Sequence, residues 1–183
     1  MTIHRTAIEG VLILEPHRYC DARGYFMESF QAERFKQTVG EEIHFVQDNE
    51  SRSTRGVVRG LHYQKTPHAQ TKLVRVVVGR VLDVVVDLRR SSATFGQHLA
   101  IELSAENGRQ LLIPKGLAHG YAVLSDEAIF QYKCDAYYHP EAEAALAWDD
   151  PTIGIKWPFS AEEAILSAKD QHHPQWADAW KFE

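Results

Sequence analysis

Residues 59–64, RGLHYQ, place His62 three positions after Arg59 in a run otherwise built like a buried strand. A histidine in that setting is a metal ligand, a general base or a packed core side chain, and the hexapeptide leaves all three open. Strict alternation puts Arg59 and His62 on opposite faces, so only a distortion at Gly60 would bring both to one site. Two more side chains raise the same question. In TKLVRVVV, 71–78, Lys72 has the parity of Val74, Val76 and Val78; in AIFQYKC, 128–134, Tyr132 has that of Ala128, Phe130 and Cys134. If those faces line a barrel, an ammonium and a phenol point into it, and both need partners there. A wet, ligand-holding lumen accounts for the two together. A lysine snorkelling from a strand end and a hydrogen-bonded core tyrosine account for them separately.

The elements that would position these groups are strands from end to end: 11–14, 25–30, 43–47, 56–63, 71–78, 80–88, 98–103, 109–113, 119–124 and 128–134, punctuated by Gly, Pro, Asn and Asp. That pattern predicts an all-β antiparallel sandwich or barrel. In LDVVVDL, 82–88, Leu82, Val84, Val86 and Leu88 share a face against Asp83 and Asp87, which predicts a strand buried on one side. Helical signals are few: QAERFKQTV, 31–39, and SAEEAIL, 160–166, where Ser160 and Glu163 have capping-box spacing. With 183 residues, one domain with a substantial core is expected, its tail irregular from about residue 150, where Pro151, Pro158, Pro174 and three of the four Trp fall.

The 20 basic and 25 acidic residues are interspersed and leave a formal charge of -5, so no nucleic-acid footprint is visible and any anionic ligand must be met by local cations. No apolar run is long enough for a signal peptide or a membrane span, and Cys20 and Cys134 lie in no CxxC pattern. A cytoplasmic protein with reduced thiols is expected. There is no GxGxxG, no P-loop and no GxSxG, which leaves acid/base chemistry by His, Tyr, Lys and Asp.

GRQLLIPKGLAH, 108–119, matches the second cupin motif: Gly, five residues, Pro-x-Gly, two residues, His. Physically this is a strand, a tight turn at Pro114 and Gly116, and a return strand that aims His119 into the mouth of a jelly-roll barrel. The first cupin motif should carry His-x-His and a Glu, but Gln64 stands at the second ligand position and no Glu follows. The expectation is therefore a cupin-like barrel without a metal. His172 and His173 are adjacent and cannot readily share an ion from an extended chain, so they are expected to be solvated tail residues.

Taken in order, DARGYFMESF (21–30), QDNESRS (47–53), RGLHYQ, KLVRVVVGRVLDVVVDLR (72–89), LLIPKGLAHGY (111–121), YKCDAYY (132–138), WDDPTIGIKWP (148–158) and LSAKD (166–170) resemble the dTDP-4-dehydrorhamnose 3,5-epimerase family over nearly the whole chain. Departures are small: Tyr25 and Tyr121 stand where Phe is common, and Leu117 replaces a common aromatic. The resemblance implies inversion of dTDP-4-keto-6-deoxy-D-glucose at C3 and C5, giving the L-sugar precursor of rhamnose, without a cofactor. By similarity His62 is the base, Asp170 its carboxylate partner, Tyr132 the acid on the opposite face and Lys72 the cation for the enolate oxygen. Arg59 and Arg23 match diphosphate and nucleotide contacts. Phe26, Glu28, Gln47, Asp48 and Asn49 match nucleotide-side contacts, and His119, Glu143 and Lys169 further ligand contacts. Taken alone, Arg23 and Glu28 would be surface ion-pair residues and the QDN run a strand-end turn. The family resemblance also implies a homodimer in which the N-terminal segment reaches into the partner's site.

Three other readings compete: an enzyme that inverts only C3 or isomerises the ketone, a metal-dependent cupin oxygenase, and a non-catalytic nucleotide-sugar binding module. Tyr132 argues against the first and HYQ in place of His-x-His against the second. A binding module would keep the arginines, with no need of His62, Tyr132, Lys72 and Asp170 together.

Overall fold

A computed structural model describes residues 1–183. Thirteen strands and one helix alternate along the chain as β1 Thr2–Arg5, β2 Leu12–Glu15, β3 Arg18–Asp21, β4 Gly24–Met27, α1 Ala32–Val39, β5 Gln47–Thr54, β6 Val58–Gln64, β7 Lys72–Val78, β8 Arg80–Asp87, β9 His98–Ser104, β10 Gln110–Ile113, β11 Leu117–Val123, β12 Glu127–Cys134 and β13 Glu143–Ala145. They form a six-stranded sheet in the order β1-β2-β10-β7-β12-β5, a five-stranded sheet in the order β13-β6-β11-β8-β9, and a separate β3-β4 hairpin. All pairings between these strands are antiparallel, and the architecture is the expected cupin-like jelly roll. Between the sheets lies a core of Val74, Val76, Val81, Val85, Leu103, Leu111, Ile113, Val123 and Phe130. Helix α1 lays Phe35 on the outer face of the six-stranded sheet against Leu14, Leu73 and Leu112. Its ends follow local chemistry: Gln31 accepts from the Arg34 amide, and Gly40 closes it at φ 85°.

Three expectations change. Strand β8 is buried on both sides, because Trp157, Trp176 and Phe182 of the tail cover Val84, Val86 and Leu88, while Asp83 and Asp87 point inward and are wholly buried. The strand expected at 43–47 begins only at Gln47 and runs through QDNESRST, so the presumed turn at QDN is strand. Its inward positions Gln47, Asn49 and Ser51 face a polar cavity, so hydrophobic alternation could not reveal it. Finally, 160–166 is a single turn rather than a helix. Glu163 does reach back to the Ser160 amide at 2.9 Å, but Ile165 is drawn into a parallel bridge with Val57, exchanging bonds with Gly56 and Val58. Tertiary pairing there overrides a local propensity worth a few tenths of a kcal/mol per residue.

Candidate active site

Between the two sheets opens a cavity of about 330 Å³, a volume typical of small-molecule sites. The five-stranded sheet contributes Arg59 and His62 from β6 and His119 from β11, and the six-stranded sheet contributes Gln47 and Asn49 from β5, Lys72 from β7 and Tyr132 from β12. Glu143 and Tyr138 stand at one end. Lys72 and Tyr132 thus lie on the inward parity of their strands, beside Val74 and Phe130. Arg59 and His62 share the cavity because β6 is distorted between them. Gly60 has φ 124°, and the register of β6 against β11 slips between His119 and Tyr121. A Cβ on Gly60 would lie 2.6 Å from the Gly120 Cα, so the two strands meet where both lack side chains.

His62 Nε2 lies 2.6 Å from Asp170 Oδ1, across 108 residues of sequence. Ser167 Oγ donates to Asp170 Oδ2 at 2.9 Å and accepts from the Asp170 amide at 3.1 Å. Burial alone would raise the Asp170 carboxyl, but its bonds from His62 and Ser167 outweigh this and hold it below the usual carboxylate range. With Nε2 committed to the carboxylate, Nδ1 is the nitrogen left to take a proton. On the facing sheet, burial pushes the Tyr132 phenol up to about 12, which keeps it a proton donor at neutral pH, and its hydroxyl has no protein partner. Burial also pushes Lys72 down, opposed by Cys134, Asp83 and Glu143; its ammonium lies 5.9 Å over the Tyr132 ring. Neither Lys72 nor Arg59 is paired with a carboxylate; Arg59 donates only to Ser53 Oγ, at 3.0 Å. In an acidic chain, two unneutralised cations in one cavity suit an anionic ligand with a carbonyl oxygen.

Other candidate residues divide by position. Buried His119 bonds Asp83 Oδ2 at 2.9 Å, and Gln47 Nε2 donates to Asn49 Oδ1 at 3.0 Å. Lys169 pairs with Glu143, to which the Tyr138 hydroxyl also donates at 2.8 Å. Burial would raise Glu143, and these two partners pull it below its ordinary value. Asp48, by contrast, is on the outward face of β5, paired with Lys133 at 2.9 Å. Arg23, Phe26 and Glu28 do not reach the cavity of their own chain. Arg23 pairs with Asp21, Glu28 with Arg34, and Phe26 stands in solvent on the β3-β4 hairpin.

Sequence reasoning missed Ser167, Asp83, Ser51, Tyr121, Tyr138 and the position of His173. Ser167 had a signal, since serine three residues before Asp170 has capping spacing. Asp83, Ser51 and Tyr121 reach the site through the sheets, where Tyr121 and Ser51 join hydroxyls across them at 2.8 Å, while Tyr138 and His173 come from a loop and the tail. Gln64, at the position where a cupin metal ligand would stand, donates to the carbonyls of His68 and Tyr137 and accepts from the His139 amide at 2.6 Å. Its side chain pins the loop that carries Tyr138. His173 is not solvated: its side chain is 6% exposed and packs edge-on to the His62 ring, centroids 5.2 Å apart. Only His172 is exposed as expected.

Residues 5–178 match the sequence profile of the dTDP-4-dehydrorhamnose 3,5-epimerase family. The enzyme of that name from Shigella flexneri is 52% identical over 182 residues, covering 100% of this chain and 99% of its own. A crystal structure of the Elizabethkingia anophelis dTDP-4-dehydrorhamnose 3,5-epimerase superposes with a TM-score of 0.92 at 47% identity, covering 97% of each chain. That of a Legionella pneumophila dTDP-6-deoxy-D-glucose-3,5-epimerase, solved in complex with dTDP-4-keto-L-rhamnose, gives 0.89 at 52% identity over 93% of this chain and 89% of its own. Profile, identity and geometry agree over the whole length: the chain belongs to the dTDP-4-dehydrorhamnose 3,5-epimerase family.

Proposed function

We propose that the cavity binds dTDP-4-keto-6-deoxy-D-glucose and inverts C3 and C5 by paired proton transfers, giving dTDP-4-keto-L-rhamnose. The observation that carries the reading is His62 on one sheet, held by Asp170 of the C-terminal tail, facing Tyr132 and Lys72 on the other sheet. Both carbons flank the C4 ketone, so loss of either C–H proton gives an enolate. His62 Nδ1 takes the proton, and the Asp170 carboxylate stabilises the imidazolium. Lys72 holds the developing enolate oxygen, an interaction of a kind worth about 3 to 4 kcal/mol in other enzymes. Tyr132 returns a proton to the opposite face, which inverts the centre. His62 ends with one proton more and Tyr132 one fewer, and exchange with water resets both. Arg59 meets the diphosphate. The exposed β3-β4 hairpin, with Arg23, Phe26 and Glu28, completes the nucleotide site of a second copy in a homodimer, working in the cytoplasm where free nucleotide sugars are made.

The test is incubation with dTDP-4-keto-6-deoxyglucose in D₂O, reduction of the ketone, and counting of deuterons at C3 and C5 against a control without enzyme. Deuterium at both carbons with inverted configuration is expected. Label at C3 alone would make the protein a single epimerase, and no label would reduce it to a binding module or move it to another substrate.

A further inference from the structure

His173 takes no part in the proposed reaction, yet it is packed against the base. Asp170 Oδ1 lies 2.6 Å from His62 Nε2 and 3.6 Å from His173 Nε2, and one donor atom from each of the three residues falls within 4.8 Å of the others. Neither ring nitrogen of His173 makes a well-formed hydrogen bond, a weak contact with the Gly60 carbonyl aside, although its side chain is 6% exposed. Buried imidazole nitrogens ordinarily find one. Two imidazoles and a carboxylate suit a borderline divalent ion such as Zn²⁺. A tetrahedral ion with bonds near 2.0 to 2.2 Å spaces its donors about 3.3 Å apart, a value the two distances to Asp170 bracket. Ser167 already holds Oδ2, leaving Oδ1 to point at the ion.

We propose that His62, Asp170 and His173 form an inhibitory site for a zinc-like divalent cation. Inhibition follows from the tautomer. In the working enzyme Nε2–H of His62 donates to Asp170 and Nδ1 carries the lone pair. An ion on Nε2 leaves the proton of the neutral ring on Nδ1, so no lone pair remains for the substrate proton. This consequence rests on His62 being the base; binding of the ion does not.

The experiment titrates the full-length protein with ZnCl₂ by calorimetry while deuterium wash-in reports turnover. One ion per chain bound at this site, with proportional loss of turnover and recovery on adding EDTA, is expected. His173→Phe keeps an aromatic ring without donor nitrogens. It should turn over normally without zinc and bind zinc more weakly by a larger factor than the roughly 10- to 100-fold that loss of an outer-shell partner costs. His62→Asn should also abolish binding, read from the isotherm alone, which keeps the test decisive where His173→Phe fails to fold. His139→Ser removes the other cluster able to hold an ion, His68, His139 and Glu141, and should leave inhibition unchanged. In a protein that turns over, inhibition that survives His173→Phe, disappears with His139→Ser, or never occurs would overturn the proposal. A zinc isotherm sensitive to His173→Phe in a protein without epimerase activity would support the site and overturn only the reading of the reaction.

Discussion

In the proposed mechanism the two halves of an inversion fall to His62, bonded to Asp170, and to Tyr132, whose hydroxyl is unpartnered, on different sheets. Removing one half should therefore leave the other working. In Tyr132→Phe, His62 can still take a proton from carbon, exchange it with solvent and return it to the same face. Deuterium should enter the substrate in D₂O with configuration retained, while inverted product falls by about 10² to 10⁴-fold. Undiminished inversion in this variant would remove Tyr132 from the role of acid. Tyr132 begins as a donor because burial holds its pKa at about 12, so raising the pH to 9 should not strip its proton in the free enzyme.

At the scale of elements, the site depends on how closely β6 and β11 approach at Gly60 and Gly120. An alanine at Gly60 would meet Gly120 and the His119 carbonyl at 2.6 and 2.9 Å, from a φ that L residues rarely adopt. Gly60→Ala should cost about 2 to 4 kcal/mol and lower activity, because Gly60 lies between Arg59 and His62 and pushing it off Gly120 moves both. Denaturant midpoints and turnover measured on the same protein check this, and a wild-type midpoint would contradict it. At the end of β8, Asp87 accepts from Arg89, Ser92 and Thr94, fixing the connection to β9. Burial would raise Asp87, but these bonds hold it at about 2 against 3.8. A depressed folded pKa stabilises the fold above the unfolded value and loses that contribution as protons bind. On the order of 2 kcal/mol should therefore disappear between about pH 4 and pH 2, and Asp87→Asn should flatten that part of the pH–stability curve. These elements also show what the sequence could and could not disclose. The inward parity of Lys72 and Tyr132 was legible because valines and a phenylalanine mark the period of their strands. Strand β5 was hidden because its inward side chains meet a ligand cavity, and Asp83 and Asp87 mimicked a solvent face because charge in the core is paired rather than absent. His62 and Asp170 lie 108 residues apart, so no local pattern joins them; only the family resemblance did.

On the scale of the whole molecule, the β3-β4 hairpin joins neither barrel sheet and carries Tyr19, Tyr25 and Phe26 at 60, 55 and 70% exposure. Arg18 roots it by donating to the carbonyls of Ala105 and Glu106, and its guanidinium lies 4.5 Å over the Tyr25 ring. Two strands alone are marginally stable in water, and three aromatic rings on such a ribbon call for a covering surface. Since Arg23 and Phe26 do not line their own cavity, the proposed dimer makes a prediction about which copy they serve. A protein carrying Arg23→Ala and Phe26→Ala should lose activity at low substrate through a raised KM, and His62→Asn should lose it through kcat. In a two-fold dimer with the hairpin acting across the interface, a mixed dimer of the two has one site with both lesions and one with neither. Random pairing of equal amounts makes half the dimers mixed, so roughly a quarter of wild-type activity should return. Co-expression with two different tags, followed by activity measured before and after isolating the doubly tagged species, reads this directly. Were the hairpin instead to fold back on its own cavity, or the chain to work as a monomer, every mixture would contain only damaged sites and activity would stay at the sum of the two parents.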